Sequence, residues 1–414
     1  MERYYELTSP GEFRNTLNAN IDLGPDKIEE ISFLDSQNRI LAEDIEAPVN
    51  LPPFTRSTKD GFAVKAVDTK GANDSAPVSL SVAGEVLMGE KIGRELEIGE
   101  AFKIPTGGMI PQGADAVIMI EDTKNKGNKM VDIYSNVKEG ENVIKKGADI
   151  RKNQPLLKKG HKLRAQDIGA LAGLGINQLK VYQIPEIAII STGDELIPPD
   201  EVPRKGEIRD INTYLIGSLL SNYGVRIKKV GIVEDSYQSL INSVQENLDS
   251  DLILISGGSS VGVKDITIDV LNNLGDPGVL VHGVKVKPGK PTILASLDGM
   301  PVIGLPGNPA SAWTITRKLI SPLLRKLRGE EPTMLNEEKS MIEAVLNKGL
   351  LSEKIREEHA PVKIVNNDNG IAIVEPIPYK SNMITTLVRA DGYIKVDVNV
   401  ASLEKGTKVE VYIF

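Results

Sequence analysis

Between residues 187 and 311, four glycine- or proline-rich turns each adjoin a short β-branched run: 187–195 (IAIISTGDE), 252–265 (LILISGGSSVGVKD), 287–292 (KPGKPT) and 302–311 (VIGLPGNPAS). Apolar strands that end in small, amide-exposing turns build anion sites at the edge of an α/β sheet. The intervening segments repeat at helical spacing. Asp210 or Asn212 can cap a helix carrying Leu215, Leu219 and Leu220, with Gly224 as its stop. Asp235 or Ser236 can cap one carrying Leu240, Ile241, Val244 and Leu248. Asn308 and Pro309 suit the cap and first position of a third, with a kink at Pro322. Residues 178–328 therefore read as a doubly wound α/β domain.

The flanking segments differ in character. Residues 1–48 read as helical, with a first helix starting near Ser9-Pro10 and a second periodic segment over 28–44. The small-residue run 165–174 (AQDIGALAGL) reads as a helix that packs back on them. That gives a discontinuous, mostly helical domain of 1–48 and 148–177, whose first helix can also reach the α/β domain. Residues 49–147 alternate short strands with glycine turns and form a β-rich insert. Residues 329–414 carry strand-like pieces around turns such as Asp391-Gly392, and a small β-barrel is expected.

Composition removes several chemistries. The 414 residues include no cysteine, so disulfides, thiolate metal sites and cysteine nucleophiles are excluded. A net charge of −8 argues against a general nucleic-acid binder. The three histidines are far apart in sequence and read as structural or surface groups. No run approaches a membrane span and the first residues lack a secretory pattern, so a soluble cytoplasmic protein is expected.

Three constellations bear on chemistry. The run Ser256-Gly257-Gly258-Ser259-Ser260-Val261-Gly262 exposes amides and hydroxyls to an anion, or is simply a tight strand-to-helix turn. It is neither a dinucleotide fingerprint nor a Walker loop. Asp194-Glu195, Asp235 and Asp265 follow three strands and suit Mg²⁺, although helix-capping acids favour the same positions. Lys287 and Lys290 sit on a rigid proline turn and suit a tetrahedral oxyanion; a solvated basic turn is the plainer reading. Pure turn chemistry accounts for Asp60-Gly61 and Pro105-Thr106-Gly107.

Taken in order, these turns resemble the molybdopterin molybdenumtransferase family, the MoeA-type proteins that include the E domain of gephyrin. The landmarks are Leu51-Pro52-Pro53-Phe54, Asp60-Gly61-Phe62-Ala63-Val64, Pro105-Thr106-Gly107, Gly113-Ala114-Asp115-Ala116-Val117, Ser191-Thr192-Gly193-Asp194-Glu195-Leu196, Ser256-Gly257-Gly258, Lys287-Pro288-Gly289-Lys290-Pro291 and Leu305-Pro306-Gly307-Asn308-Pro309. The resemblance spans essentially the whole chain. It implies four domains, an elongated homodimer, and a site between subunits. There, adenylylated molybdopterin would be cleaved and molybdate or tungstate inserted with release of AMP. A molybdopterin adenylyltransferase and a non-catalytic scaffold of the same fold are the alternatives. An adenylyltransferase of the pathway is an implied partner; nucleic acid and membranes are not.

The resemblance also implies roles. Glu195, Asp235 and Asp265 would hold Mg²⁺ and substrate. Thr192, Gly193, Ser256, Gly257, Gly258, Ser259, Pro306 and Asn308 would contact the pterin substrate. Lys287, Lys290, Arg356 and Ser381 would hold the oxyanion. Asp60 and Thr106 would come from the partner subunit's insert. The sequence departs from the family pattern at Gly283, where some members carry a lysine, at Lys59, where an uncharged residue is frequent, and at Ile355-Arg356-Glu357-Glu358-His359.

Overall fold

The computed structural model describes residues 7–257, 263–331, 341–368 and 371–414; the side chains of 263–265 and 366–368 lie outside the described set. Its centre is a six-stranded sheet in the order Arg226–Val233, Glu186–Thr192, Leu252–Gly257, Met300–Leu305, Ile293–Leu297, Pro277–His282. The first four strands run parallel, Ile293–Leu297 runs against them, and Pro277–His282 is antiparallel to Ile293–Leu297. Alternate side chains of the middle strands enter two separate cores, which is why these strands are apolar without interruption. Ile187, Ile189, Leu252 and Leu254 pack on one face with Ile216, Leu220, Ala312 and Ile315. Ala188, Ile190, Ile253 and Ile255 pack on the other with Leu240, Val244, Val270 and Leu271.

The caps follow local chemistry. Asp210 Oδ1 accepts the Thr213 amide at 3.1 Å, ahead of the helix Asn212–Ser221. Ser236, rather than Asp235, caps Tyr237–Gln245 through the Ser239 amide. The long helix after Pro309 is not simply kinked at Pro322. It runs as Pro309–Ile315, a π turn over Thr316–Ile320, and Ser321–Leu327. A proline lacks an N–H and crowds the preceding turn, and the wider π turn relieves this one turn before Pro322.

The N-terminal helix Pro10–Asn20 is closed by a capping box: the Glu12 amide donates to Ser9 Oγ and the Ser9 amide to Glu12 Oε2. Its buried Phe13 and Leu17 join the core of the α/β domain. The expected second helix over 28–44 is corrected. Ile28–Ser32 is a strand, antiparallel to Gln178–Tyr182, followed by a short 3₁₀ turn at Phe33–Asp35. Pairing with a partner 150 residues away overrides the local periodicity. The helix Ala165–Leu174 forms and packs back on the 1–48 segment as expected, against Leu41, Ile45 and the 3₁₀ turn Phe33–Asp35, together with Leu179 and Val181.

Within the insert, the strand order is Ala116–Met119, Gly61–Val64, Glu100–Ile104, Val78–Glu85, Met130–Ile133, Thr123–Gly127. The C-terminal unit is a closed five-stranded barrel. Met341–Leu346, Glu357–Asp368, Ile371–Pro376, Gly392–Val396 and Lys408–Ile413 close through the pairing of the second with the fourth. A two-residue strand from the α/β domain, Val286–Lys287, adds in parallel to Glu357 and Glu358 of the barrel. The two units also meet where the Arg317 guanidinium lies over the rings of Trp313, Tyr393 and Phe414. Beside them Glu357 pairs with Lys318 at 2.9 Å and His359 at 2.8 Å. Burial raises the Glu357 carboxyl, yet these two partners hold it at about 2. His359 is thus a packed interface group, stacked on Tyr393. No helix among the described residues is long and apolar enough to cross a membrane.

Candidate functional site

A cavity of about 1,000 Å³ lies where the two lysine and proline turns of the α/β domain face the barrel. It brings together Lys287, Lys290, Pro306, Asn308, Arg356 and Ser381, six residues picked out in the sequence across nearly a hundred positions. The short strand Val286–Lys287 places the first lysine against the barrel. Lys287 Nζ donates to Glu358 Oε2 at 3.2 Å and lies 3.5 Å from Glu353 Oε1. Glu358 is 2% exposed and also accepts from Ser352 Oγ at 2.6 Å and Tyr379 Oη at 2.9 Å. Burial, then the neighbouring Glu358 charge, pushes the Tyr379 phenol above its ordinary value, so it stays a donor. Arg356 bonds the Glu353 carboxylate, and that hydrogen bond, with the Lys287 charge, holds Glu353 below the usual carboxylate range.

Asn308 stands at the N-cap position of Pro309–Ile315 but does not cap it. Its Nδ2 donates to Ser381 Oγ at 2.9 Å, and the Ala310 amide donates to the Ser381 carbonyl at 3.0 Å. The turn is therefore fastened to the barrel, and Ser381 is fixed at the cavity wall. Lys290 is exposed and makes no ion pair among the described residues.

A second cluster forms at the ends of Glu186–Thr192 and Arg226–Val233. Thr192 Oγ1 donates to Asp235, and the Asp235 amide donates to Asp194 Oδ1 at 3.1 Å. Burial pushes the Asp235 carboxyl up, and the charges of Asp194 and Glu195 push it further. Among the described residues, no three carboxylate or imidazole groups close into a complete cation site. The side chain of Asp265, the remaining predicted ligand, lies outside the described set, as do Gly258 and Ser259.

Ser256 and Gly257 have structural duties of their own. Ser256 is buried, and its Oγ accepts from Asn212 Nδ2 at 2.9 Å, which also donates to the Gly307 carbonyl at 2.8 Å. A β-carbon at Gly257 would stand 2.2 Å from the Thr192 carbonyl oxygen, so sheet packing alone requires glycine there. At Gly193, a β-carbon would meet the Glu195 carboxylate at 2.9 Å. Asp60 and Thr106 meet within the insert, where the Thr106 amide donates to Asp60 Oδ1 at 2.8 Å. No insert residue lines the cavity.

Sequence reasoning missed Glu353 and Tyr379 and gave Glu358 no role. Glu358 could have been suspected from the acidic pair beside Arg356; Tyr379 carries no local signal, because its partner is 21 positions away.

Three family profiles match in order: the MoeA N-terminal region, domains I and II, at residues 8–175; the probable molybdopterin binding domain at 188–326; and the MoeA C-terminal region, domain IV, at 343–414. A Methanocaldococcus jannaschii protein named for molybdopterin biosynthesis is 36% identical, over 94% of this chain and 92% of its own length. The molybdopterin molybdenumtransferase of Bacillus subtilis is 31% identical over 92% and 89%. A solved structure of the molybdopterin biosynthesis MoeA protein from Pyrococcus horikoshii superposes with a TM-score of 0.84, at 36% identity, covering 99% of each chain.

Proposed function

We propose that this chain, which belongs to the MoeA family of molybdopterin biosynthesis proteins, is a molybdopterin molybdenumtransferase acting in molybdenum cofactor biosynthesis. Its substrate is adenylylated molybdopterin; the oxyanion inserted is molybdate or tungstate, and AMP is released. The observation that carries this reading is the cavity in which Lys287, Lys290, Arg356 and Ser381 converge from two domains. Fixed ammonium and guanidinium groups beside a hydroxyl suit a tetrahedral dianion. An adenylyltransferase or a scaffold would have no need of a barrel closed over such a pocket.

Glu195, Asp235 and Asp265 would hold Mg²⁺, which when bound supplies neutralising charge to the pyrophosphate. The donor set fits: carboxylates that repel one another and raise Asp235 are relieved by a hard cation that keeps several waters. Thr192 orients the Asp235 carboxylate through its hydroxyl. Asp60 and Thr106, which do not line the cavity, fit a contribution from the second subunit of a homodimer. A cytoplasmic location and a hand-over from the pathway's adenylyltransferase complete the proposal.

The test is molybdate-dependent AMP release from adenylylated molybdopterin. Wild-type protein should release AMP only with the oxyanion present. A folded Asp265→Asn variant should release none, and normal release by it would remove the acidic set from the reaction.

Asp235 gives an independent check. Its folded-state pKa is raised, so the folded protein binds this proton more tightly than the unfolded chain. The associated stability is present at acid pH and lost as pH rises through the raised value. Asp235→Asn should therefore raise the thermal midpoint of the metal-free protein at neutral pH. It should also weaken Mg²⁺ binding by at least about 10–100-fold. Calorimetry with and without Mg²⁺ reads both; a lowered midpoint would contradict the electrostatic account.

A further inference from the structure

Two acids compete for Lys287, and they are not equivalent. Glu358 is 2% exposed, lies on a barrel strand and accepts from three donors, so moving it would strand a buried charge. Glu353 has a side chain 50% exposed, lies between the strands Leu350–Leu351 and Glu357–Asp368 rather than on one, and among the described residues its carboxylate is paired with Lys287 and Arg356 alone. Half of the Glu353 side chain already faces solvent, so water can take its carboxylate at little cost.

We propose that Glu353 is a resident anion of the oxyanion pocket. Its carboxylate bridges Lys287 and Arg356, two cations that line the cavity, competes with a tetrahedral oxyanion for them, and so sets a charge threshold for binding. This inference rests on the oxyanion reading of the cavity given above.

The charge balance explains the threshold. Lys287 and Arg356 are matched by Glu353 and Glu358, so these four groups are neutral together, and Lys348 is matched by Glu375. An incoming monoanion only replaces one negative charge with another. It must also outcompete a tethered group whose effective concentration is on the order of millimolar. A dianion brings a second negative charge, and Lys290 and Lys380, both exposed at the cavity and without an ion pair among the described residues, are placed to answer it. The pocket therefore discriminates by charge before it discriminates by size.

The test is calorimetric titration of the full chain with sodium molybdate and with sodium perrhenate, a tetrahedral monoanion. Wild-type protein should bind molybdate and bind perrhenate at least about tenfold more weakly. Glu353→Gln should bind molybdate about tenfold more tightly, a change of about 1.4 kcal/mol. Perrhenate binding should tighten in the same variant. Glu353→Ala should reproduce both gains with an unchanged thermal midpoint. If wild type binds molybdate and both variants bind it equally or more weakly, Glu353 is a structural partner of Arg356 and the inference fails while the pocket assignment stands. If no form binds molybdate, the oxyanion reading itself is overturned and this inference with it.

Discussion

Lys287→Met is expected to weaken molybdate binding by a factor of about 100 to 1,000, within the usual cost of truncating one partner of a desolvated, hydrogen-bonded charge pair. It should also lower stability by about 2–3 kcal/mol, although the methionine keeps the apolar stem in place. The second effect arises because Glu358 stays buried and charged, with only Ser352 and Tyr379 left as donors. Calorimetric titration reads the binding and urea unfolding the stability. Adding Glu358→Gln should separate the two. It removes the stranded charge yet keeps an oxygen to accept from Ser352 and Tyr379, so stability should largely recover while binding does not. If stability stays low in the double variant, Lys287 holds the barrel by packing rather than by charge.

Gly257→Ala is expected to cost about 3 kcal/mol in the complete absence of ligand, at the top of the range for overpacking. Its β-carbon would lie 2.2 Å from one backbone oxygen and 2.5 Å from Thr192 Cγ2, and only movement of one central strand away from the next could make room. Gly173→Ala is the matched control. That position lies within the helix Ala165–Leu174, its nearest obstacle is 3.8 Å away, and the change should be neutral or stabilising by about 0.5–1 kcal/mol. Urea midpoints of the two variants give the comparison. If Gly257→Ala proves as stable as wild type, the glycine is there for a ligand and not for the sheet.

How far the sequence disclosed the molecule depends on the range of the forces involved. The α/β domain was legible because its strands are buried on both faces and its helices are bounded by Asp210, Ser236 and Pro309 within a few residues of their own backbone. The strand at Ile28–Ser32 was not, because it exists only through pairing with Gln178–Tyr182. The cavity divides the same way. Lys287 and Lys290 announce themselves on one short turn, and Arg356 and Ser381 could be placed by resemblance. What restrains Lys287 could not: Glu358 and Glu353 meet it only when a two-residue strand crosses to the barrel. Gly257 teaches the converse, for a residue type that suggests a ligand is already demanded by the neighbouring strand.

The packing of Phe13 and Leu17 has a consequence in time. Their partners include Ile187, Leu294, Ile320 and Leu324, so the helix Pro10–Asn20 belongs to a core completed only by the helix Ser321–Leu327. At a synthesis rate of roughly 5–20 residues per second, about 300 residues must follow before that core can close, an interval of roughly 15–60 s. A single eleven-residue helix is marginal in water, and its capping box can only lengthen its fleeting existence. During that interval the phenylalanine and the leucine of this helix stand without their native cover. A helix made about 300 residues before its partners is thus among the last to settle.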